Sequence, residues 1–235
     1  MAVYSCQPSV RAGPARLLDG AGASRVEGTE RRYVLFEYVV GVGKVPTNAG
    51  EWRTMGRALA SFHRLAAQFR APPRFKLAPA SLVESALKTI GEGDLLGSQD
   101  LSFVTQFSAR LRQRLSSLPT TTTQVIHGDF WWGNIGLSSG RATILNFDFC
   151  GHGLPIYDVA SFLGTAEALA VPVPPGGRRA FLAGYEGVRS LAAWERAACA
   201  DLELTRALYG LGWWATLATT YGREWFLDSA AGEDV

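Results

Sequence analysis

Cysteine is scarce in this 235-residue sequence, and the three that occur, Cys6, Cys150 and Cys199, are widely separated. Their spacing fits neither a disulfide framework nor a zinc site. The sequence therefore excludes the small disulfide-stapled classes of protein. The same pattern favours a reducing compartment, and we expect the protein to be cytoplasmic.

Long apolar segments are missing as well. Residues 1–16 mix prolines and arginines into short apolar stretches, unlike the continuous apolar segment of a signal peptide. The most apolar late stretch, Ala207–Leu217, is far shorter than the roughly 20 residues that a membrane-spanning helix needs. We therefore expect no membrane association and predict that Ala207–Leu217 is a core helix.

Charge of one sign is also not in excess. The sequence has 23 Lys and Arg against 21 Asp and Glu, a formal net charge of +2. This excess is too small for a protein that holds nucleic acid by neutralising phosphates, so nucleic acid is not an expected partner. The 47% hydrophobic content, with 26 Gly and 11 Pro, is ordinary for a globular protein of one large domain or two small ones.

Apolar periodicity predicts a few strands and many helices. Residues Arg32 to Val40 are rich in β-branched and aromatic side chains and predict a buried strand. Asn48 lies three residues before Glu51, which resembles a capping box, and apolar residues then recur at helical spacing up to Phe69. Further helices are predicted at Ser81–Ile90, Ser98–Leu118 and from Tyr157 to about Trp225 with a break at Pro172–Gly177, and short strands at Gln124–Ile126 and Ala142–Leu145.

The most informative segment is Val125–Ile135, where a predicted strand leads into His127-Gly128-Asp129 and Asn134 follows Asp129 by five residues. A kinase catalytic loop needs a carboxylate that accepts or orients the attacking hydroxyl and, a few residues later, a neutral oxygen ligand for magnesium. Asp129 and Asn134 have the residue types and the spacing for both tasks. A second oxygen ligand is expected in Asn146-Phe147-Asp148, which begins twelve residues after Asn134.

These motifs, with Tyr157-Asp158-Val159-Ala160, together resemble the aminoglycoside phosphotransferase and choline kinase-like superfamily, including homoserine kinase-type relatives. The resemblance is densest from Val125 to Leu163 and covers about residues 30 to 215 more loosely. It implies an α+β, protein kinase-like two-lobe fold. Residues 1–40 would form a small remnant β lobe that ends in the hinge strand, and residues 41–235 a mainly helical lobe with the catalytic loop and the metal strand.

The resemblance also implies roles for individual residues. Asp129 would be the catalytic base, and His127 would belong to the catalytic loop as its structural anchor. Asn134 would bind Mg²⁺, together with Asn146 or Asp148. The backbone of the hinge, Glu37, Tyr38 and Val39, would hold the adenine of ATP, and Asp158 would be a structural carboxylate. The implied cofactors are ATP and Mg²⁺, and the implied partner is a small-molecule hydroxyl acceptor.

One departure from the family pattern concerns the metal strand. The family usually reads I-D-F-D-D where this chain has Leu145–Phe149, so Asn146 stands where the main metal-binding aspartate belongs. Unit charges about 4 Å apart interact by about 4 kcal/mol at an effective dielectric near 20, so the missing charge predicts a rate loss on the order of a thousandfold. Asp148 would compensate if the segment is extended, because residues two apart on a strand face the same side.

The other departure concerns the small lobe. The chain's only lysines, Lys44, Lys76 and Lys88, all follow the predicted hinge strand, and the region before Tyr33 is too short for a phosphate-covering loop, a lysine-bearing strand and a glutamate-bearing helix. The sequence therefore predicts a truncated small lobe. The positive charge that a small-lobe lysine places on the ATP phosphates would then come from an arginine of this region or from a partner chain that supplies the missing lobe.

The leading functional hypothesis is a magnesium- and ATP-dependent phosphotransferase acting on a small-molecule hydroxyl, with reduced activity. A catalytically degenerate kinase-like binding module and a gene fragment remain open alternatives. Trp131-Trp132 and Trp213-Trp214 suggest an aromatic cage for a cationic substrate, although core packing is favoured for them. His63 and His152 are expected to be packed or solvent-facing rather than catalytic.

Overall fold

Helix α1, Ala49–Ala66, shows how the local sequence determines where a helix begins. In a computed structural model, Asn48 caps the helix by accepting a hydrogen bond at 3.0 Å from the backbone N–H of Glu51. The Glu51 carboxylate accepts from the N–H of Thr47 at 2.7 Å, not from Asn48 as in a full capping box, and it also pairs with Lys44. The helix ends at Ala66, and Phe69 lies beyond it with 61% of its surface exposed.

The structure describes residues 38–69, 75–119, 121–222 and 224, and the short strands β1 and β2. Its elements in chain order are β1 (Ser24–Arg25), β2 (Arg32–Tyr33), α1 (Ala49–Ala66), β3 (Lys76–Leu77), α2 (Pro79–Glu92), α3 (Ser98–Leu115), β4 (Gln124–Ile126), β5 (Ile135–Ser138), β6 (Arg141–Ile144), β7 (Gly151–Gly153), α4 (Pro155–Ala168), α5 (Gly177–Glu186) and α6 (Ala193–Tyr221). The predicted α+β fold class, with a mainly helical C-terminal part, is confirmed.

Helix α4 lies at the centre of the helical part. All residues from Pro155 to Ala166 are buried, so the helix is covered on every side, as expected for one that is apolar all round. It packs against α6, α1 and β4. The stacked rings of Phe162 and Phe181 join it to α5, with centroids 4.3 Å apart. The elements around α4 are thereby fixed relative to one another.

The small sheets determine which loops meet. Strand β7 lies between β3, to which it is parallel, and β4, to which it is antiparallel, with Ile126 opposite Gly151. The residues that follow β4 therefore lie beside those that precede β7. Strands β5 and β6 form an antiparallel hairpin in which Ile135 is opposite Ile144. The residue before β5, Asn134, thus lies beside the segment that follows β6.

The predicted strand at Arg32–Val40 is wrong at its C-terminal end. Within the described residues only Arg32–Tyr33 forms a strand, paired with β1, and residues 34–37 lie outside them. Tyr38 is 83% exposed and Val40 is also exposed. This segment joins the rest of the fold at Gly41, whose backbone oxygen accepts a hydrogen bond from the N–H of Leu137 in β5. Strand propensity favours this segment, but tertiary pairing decides which residues are buried.

Helices α1 and α5 cross closely because glycines stand at their contact. A Cβ on Gly56 of α1 would overlap with the backbone oxygen of Phe181, and a Cβ on Gly184 of α5 would overlap with that of Arg53. Gly56→Ala is therefore expected to lower the free energy of unfolding by about 1–3 kcal/mol in urea titrations, because backbone atoms must move. The control is Gly91→Ala in α2, where a Cβ has no neighbour within 4 Å.

The control is expected to stabilise the protein by about 0.5–1 kcal/mol, because alanine replaces a flexible glycine in a helix. Equal effects of the two variants would contradict the close crossing.

None of the helices in the described residues is long and apolar enough to cross a membrane.

Candidate active site

The turn after β4 is held by a carboxylate from α4. Asp158, in the first turn of α4 and fully buried, accepts hydrogen bonds from the backbone N–H groups of His127, at 2.7 Å, and Gly128, at 2.8 Å. It also contacts Nε2 of His63 at 2.9 Å. A carboxylate that satisfies several buried donors fixes a loop firmly, because each donor would otherwise be left without a partner.

Gly128 is required by the shape of this turn. Its φ angle is +81°, and a Cβ would overlap with the backbone oxygen of Phe149. Only glycine adopts this conformation without strain and leaves room for the neighbouring chain. The turn therefore lies directly against the segment that follows β6, which carries Asn146 and Asp148.

His127 connects the turn to the same segment from the other side. Its Nδ1 accepts a hydrogen bond from the N–H of Asp129 at 3.2 Å, and its Nε2 contacts the backbone oxygen of Leu145 at 2.8 Å. The carbonyl can only accept, so the proton is on Nε2. Both ring nitrogens are engaged and the side chain is fully buried. This arrangement agrees with an anchoring role and leaves the ring no free nitrogen for a substrate.

Asp129, Asn134 and Asn146 form a chain of hydrogen bonds. Nδ2 of Asn134 donates to the Asp129 carboxylate at Oδ2 and to the Asp129 backbone oxygen, both at 2.8 Å. Nδ2 of Asn146 donates to Oδ1 of Asn134 at 3.1 Å. The β5–β6 hairpin explains the second contact, since the N–H of Leu145 also donates to the backbone oxygen of Asn134 at 2.9 Å. The sequence motif is therefore one cluster in space.

The metal-strand segment turns instead of extending. Strand β6 ends at Ile144, and Asn146 has a φ angle of +58°. Asparagine is among the few residue types that tolerate this left-handed conformation. Asp148 lies partly buried in the following turn, which a hydrogen bond from Cys150 N–H to the Phe147 oxygen closes at 3.0 Å. The segment is therefore not extended, and the condition under which Asn146 and Asp148 would face the same side of a strand is not met.

Arg206 is a site residue that the sequence motifs did not reveal. Its Nη2 donates to Oδ1 of Asp129 at 2.7 Å, and both side chains are mostly buried. The two residues are 77 positions apart, so no local pattern joins them. The only signal in the sequence is helical spacing: Arg206, just before the apolar stretch Ala207–Leu217, is followed at three and then four residues by Tyr209 and Trp213 within it.

Asp129 and Arg206 lie at a cavity of about 550 Å³ between α4, α6 and the loops after β4 and β6. Trp132 is buried in the core, as expected, but the expectation of core packing is wrong for Trp213 and Trp214, which are 48% and 41% exposed. Besides the Asp129–Arg206 pair, the most prominent side chains around the cavity are aromatic: Trp131, Phe149, Tyr209, Trp213 and Trp214. The volume is typical of a pocket for a small molecule.

The predicted hinge is described only in part. Glu37 lies outside the described residues. Tyr38 points largely into solvent, whereas Val39 is half-buried and packs beside Gly136 of β5, where a Cβ would overlap with its side chain. The segment therefore adjoins the hairpin that carries Asn134.

The remaining candidate nucleophiles and bases are unsuited to catalysis. His63 is buried between Asp158 and the Tyr185 hydroxyl, at 2.9 and 2.8 Å, and burial lowers its pKa despite the neighbouring carboxylate. The expectation of a packed histidine is confirmed. Burial raises the pKa of Cys150 to about 11 and that of Cys199 to about 12. Neither thiol is ionised at neutral pH, so neither is an activated nucleophile.

Comparison with known families decides the assignment of the chain. A profile of the phosphotransferase enzyme family matches residues 11–199. The chain belongs to this family. Among relatives of this phosphotransferase-family chain is the uncharacterized protein sll1119 of Synechocystis sp. (strain PCC 6803), 28% identical over 193 residues, which are 78% of this chain. The chain spans only 52% of that relative's length.

Solved structures show that the phosphotransferase-family chain has a kinase-like fold. A microcompartment-associated aminopropanol kinase superimposes with a TM-score of 0.68 at 22% identity, over 92% of this chain and 73% of that one. The amicoumacin kinase hAmiN, in complex with AMP-PNP, Ca²⁺ and Ami, gives a TM-score of 0.60 at 17% identity, over 79% and 57% of the two chains. At these identities the likeness concerns the fold alone.

Proposed function

We propose that this phosphotransferase-family chain is a kinase that transfers the γ-phosphoryl group of ATP to a hydroxyl of a small molecule. The observation that carries the proposal is the meeting of Asp129 and Asn134 at 2.8 Å, with the Asp129 carboxylate at the wall of a cavity of about 550 Å³. A kinase needs a carboxylate at the acceptor site and an adjacent oxygen ligand for the metal. The complex of hAmiN with AMP-PNP and Ca²⁺ supports the use of a nucleotide and a divalent cation.

In this proposal Asp129 orients the acceptor hydroxyl and accepts its proton as the phosphoryl group is transferred. Arg206 holds one carboxylate oxygen and Asn134 holds the other, so the carboxylate has a fixed direction. Fixed orientation is a large part of phosphoryl-transfer catalysis, because the protein itself does little covalent chemistry. His127 and Asp158 act on the reaction only through the loop that they hold.

The residues that would hold Mg²⁺ are Asn134, Asn146 and Asp148. Oδ1 of Asn146 is buried and has no hydrogen-bond partner among the described residues, as expected of an oxygen that binds a cation. In the described part of the chain no three His, Cys, Asp or Glu side chains form a metal cluster. Mg²⁺ accepts one or two protein ligands when waters and phosphates complete its shell. Bound there, Mg²⁺ supplies neutralising charge to the β and γ phosphates.

The proposal retains the division into a β lobe and hinge at residues 1–40 and a helical lobe at residues 41–235. Backbone groups of Glu37, Tyr38 and Val39 would receive the adenine. A partner chain, or arginines of the first lobe, would supply the positive charge that a small-lobe lysine provides in other kinases.

A second candidate is a kinase-like module that binds nucleotide without turnover. The specific observation in its favour is the Arg206–Asp129 ion pair at 2.7 Å, in which the guanidinium occupies a carboxylate oxygen that an acceptor hydroxyl would contact. Asn146 stands where the family pattern has an aspartate, so the metal site lacks one negative charge. This weaker metal site also favours binding without turnover. The two candidates differ in whether ADP is released.

A thermal-shift titration with ATP and Mg²⁺ separates the candidates. Saturation at about one hundred times Kd stabilises a folded protein by about 2.7 kcal/mol, which for a chain of this size raises Tm by about 5–10 °C. ATP with EDTA should give a much smaller shift, because Asn134 and Asn146 would hold the metal whose charge neutralises the phosphates. No shift with either mixture would contradict both candidates, and a shift without ADP release would favour the module.

The same titration includes Asn146→Asp. Aspartate tolerates the φ angle of +58° at this position and adds a negative charge beside the metal. Repulsion from nearby carboxylates offsets part of the gain, so we expect half-maximal stabilisation at about tenfold lower Mg²⁺, equivalent to about 1.4 kcal/mol. The matched control, Asn146→Gly, removes the oxygen without straining the positive φ angle and should require more Mg²⁺ than the unmodified chain. An identical Mg²⁺ requirement in all three proteins would exclude position 146 as a ligand.

A further inference from the structure

The cavity beside Asp129 has a polar wall and an aromatic wall. Asp129 and Arg206 form the polar wall, and among the described residues they are the only charged side chains that line the cavity. Phe149 and Trp213 meet edge-to-face on the aromatic side, with centroids 6.1 Å apart and ring planes at 88°. Such a corner presents ring faces and edges to a third ring.

The charges of the polar wall are already matched. Arg206 donates to Oδ1 of Asp129 and Asn134 to Oδ2, so the guanidinium already balances the carboxylate charge, while each oxygen keeps a lone pair that can accept from a neutral hydroxyl. The guanidinium makes one hydrogen bond to the described residues. Its other N–H groups also carry positive charge, and this charge repels a cation. Burial raises the pKa of Tyr209, so its hydroxyl stays neutral and adds no negative charge. A cationic acceptor would therefore enter this cavity without a carboxylate to pair with.

The polar wall disfavours a cation, whereas the aromatic wall favours an apolar ligand. Trp213 and Trp214 follow Arg206 on α6 by about two helical turns, and the two residues are 48% and 41% exposed. Large exposed aromatic surface at the mouth of a cavity indicates a ligand that covers it, because tryptophan gains free energy when its apolar area is buried. The two tryptophans line the same cavity as the Asp129 carboxylate, which would accept a hydrogen bond from the acceptor hydroxyl.

We infer that the acceptor is an uncharged aromatic alcohol, whose ring lies in the corner of Phe149 and Trp213 and whose hydroxyl reaches Asp129. The inference rests on the proposed kinase function and specifies its substrate class. The reaction would transfer the phosphoryl group to the alcohol oxygen, with the hydroxyl proton passing to Asp129 and ADP leaving. An aromatic cage for a cation is the competing reading of the same tryptophans.

A matched pair of probes tests the inference. 3-Phenylpropan-1-ol and (3-hydroxypropyl)trimethylammonium carry the same propanol chain and differ in a neutral ring against a cation. Binding is measured by saturation-transfer NMR and calorimetry without nucleotide. We expect the phenyl probe to bind at least about tenfold more tightly, since ring stacking and apolar burial favour it and Arg206 repels the cation. Equal or tighter binding of the ammonium probe would overturn the inference.

Variants locate the bound probe. Trp213→Ala is expected to weaken the phenyl probe by about tenfold, and Trp213→Phe to restore most of the loss. Phe103→Ala, which removes a ring that is 68% exposed on α3, outside the cavity, should change nothing. Arg206→Gln should strengthen the ammonium probe about tenfold, because it removes a like charge. If the phenyl probe binds equally well to the unmodified chain and to Trp213→Ala, the ring does not lie in the proposed corner.

Two further measurements separate this inference from the proposed function. Mg²⁺ and ATP are titrated in parallel: a nucleotide shift without binding of the phenyl probe overturns the acceptor class and leaves the kinase proposal intact. Binding of the phenyl probe without a nucleotide shift supports the cavity preference and contradicts the kinase. Light scattering reports the oligomeric state, and a dimer that Trp213→Ala dissociates would assign the aromatic wall to a second copy and overturn the inference.

Discussion

Replacing Asp158 with alanine is expected to lower the free energy of unfolding by about 3–5 kcal/mol. The carboxylate is fully buried and is contacted by the N–H groups of His127 and Gly128 and by His63, at 2.7, 2.8 and 2.9 Å. Removal leaves these groups buried without partners and creates a cavity at the end of α4. Urea or thermal unfolding followed by circular dichroism measures the loss.

Two further variants define the cause of this loss. Asp158→Asn keeps the volume but turns one oxygen into an N–H₂ group that faces other donors, so it should also destabilise the protein, by about 2–3 kcal/mol. Glu84→Gln breaks an exposed ion pair of 3.6 Å with Arg112 and should change stability by less than about 0.5 kcal/mol. If Asp158→Asn were as stable as the unmodified protein, the carboxylate would not be what holds the turn.

The cluster of Asp129, Asn134 and Asn146 was predictable because its parts are local. His127, Asp129 and Asn134 lie within eight residues, and one hairpin of ordinary geometry brings Asn146 to Asn134. The structural role expected for Asp158 agrees with its contacts, although which donors it satisfies depends on the packing of α4 and α1. Strand β7 has the sequence Gly-His-Gly, which carries no strand signal, so only its pairing with β3 and β4 makes it a strand.

The parts that escaped prediction depend on long-range contacts. Arg206 is one arginine among many in the sequence, and its pairing with Asp129 requires α6 to cross the loop after β4. Trp213 and Trp214 belong to an apolar stretch that predicts a core helix, yet they face the cavity because α2 and α4 cover other sides of α6. Helical periodicity identifies the faces of a helix but not which of them meets a neighbouring element.

Asp129→Asn is expected to reduce kcat by about 10²–10⁴-fold, the range that general acid–base catalysis contributes. An amide cannot accept the proton of the acceptor hydroxyl, and its single oxygen satisfies either Arg206 or Asn134 but not both. The nucleotide site is expected to change little, because Asn134 keeps its hydrogen bond to the backbone oxygen of residue 129, and the proposed metal ligands Asn134, Asn146 and Asp148 are all retained. The measurement is ADP release with 3-phenylpropan-1-ol as acceptor, alongside the thermal shift with ATP and Mg²⁺.

Asp201→Asn is the matched control, since Asp201 lies on the same helix as Arg206 but pairs with Arg114, at 2.7 Å, outside the cavity. Its kcat should stay within about twofold of the unmodified chain, as an exposed ion pair contributes little. A lower kcat in Asp129→Asn with an unchanged nucleotide shift assigns the loss to the transfer step, because binding of ATP is then intact. Equal ADP release by Asp129→Asn and the unmodified chain would show that the reaction does not use this carboxylate and would leave Asp129 with a structural role toward Arg206 and Asn134.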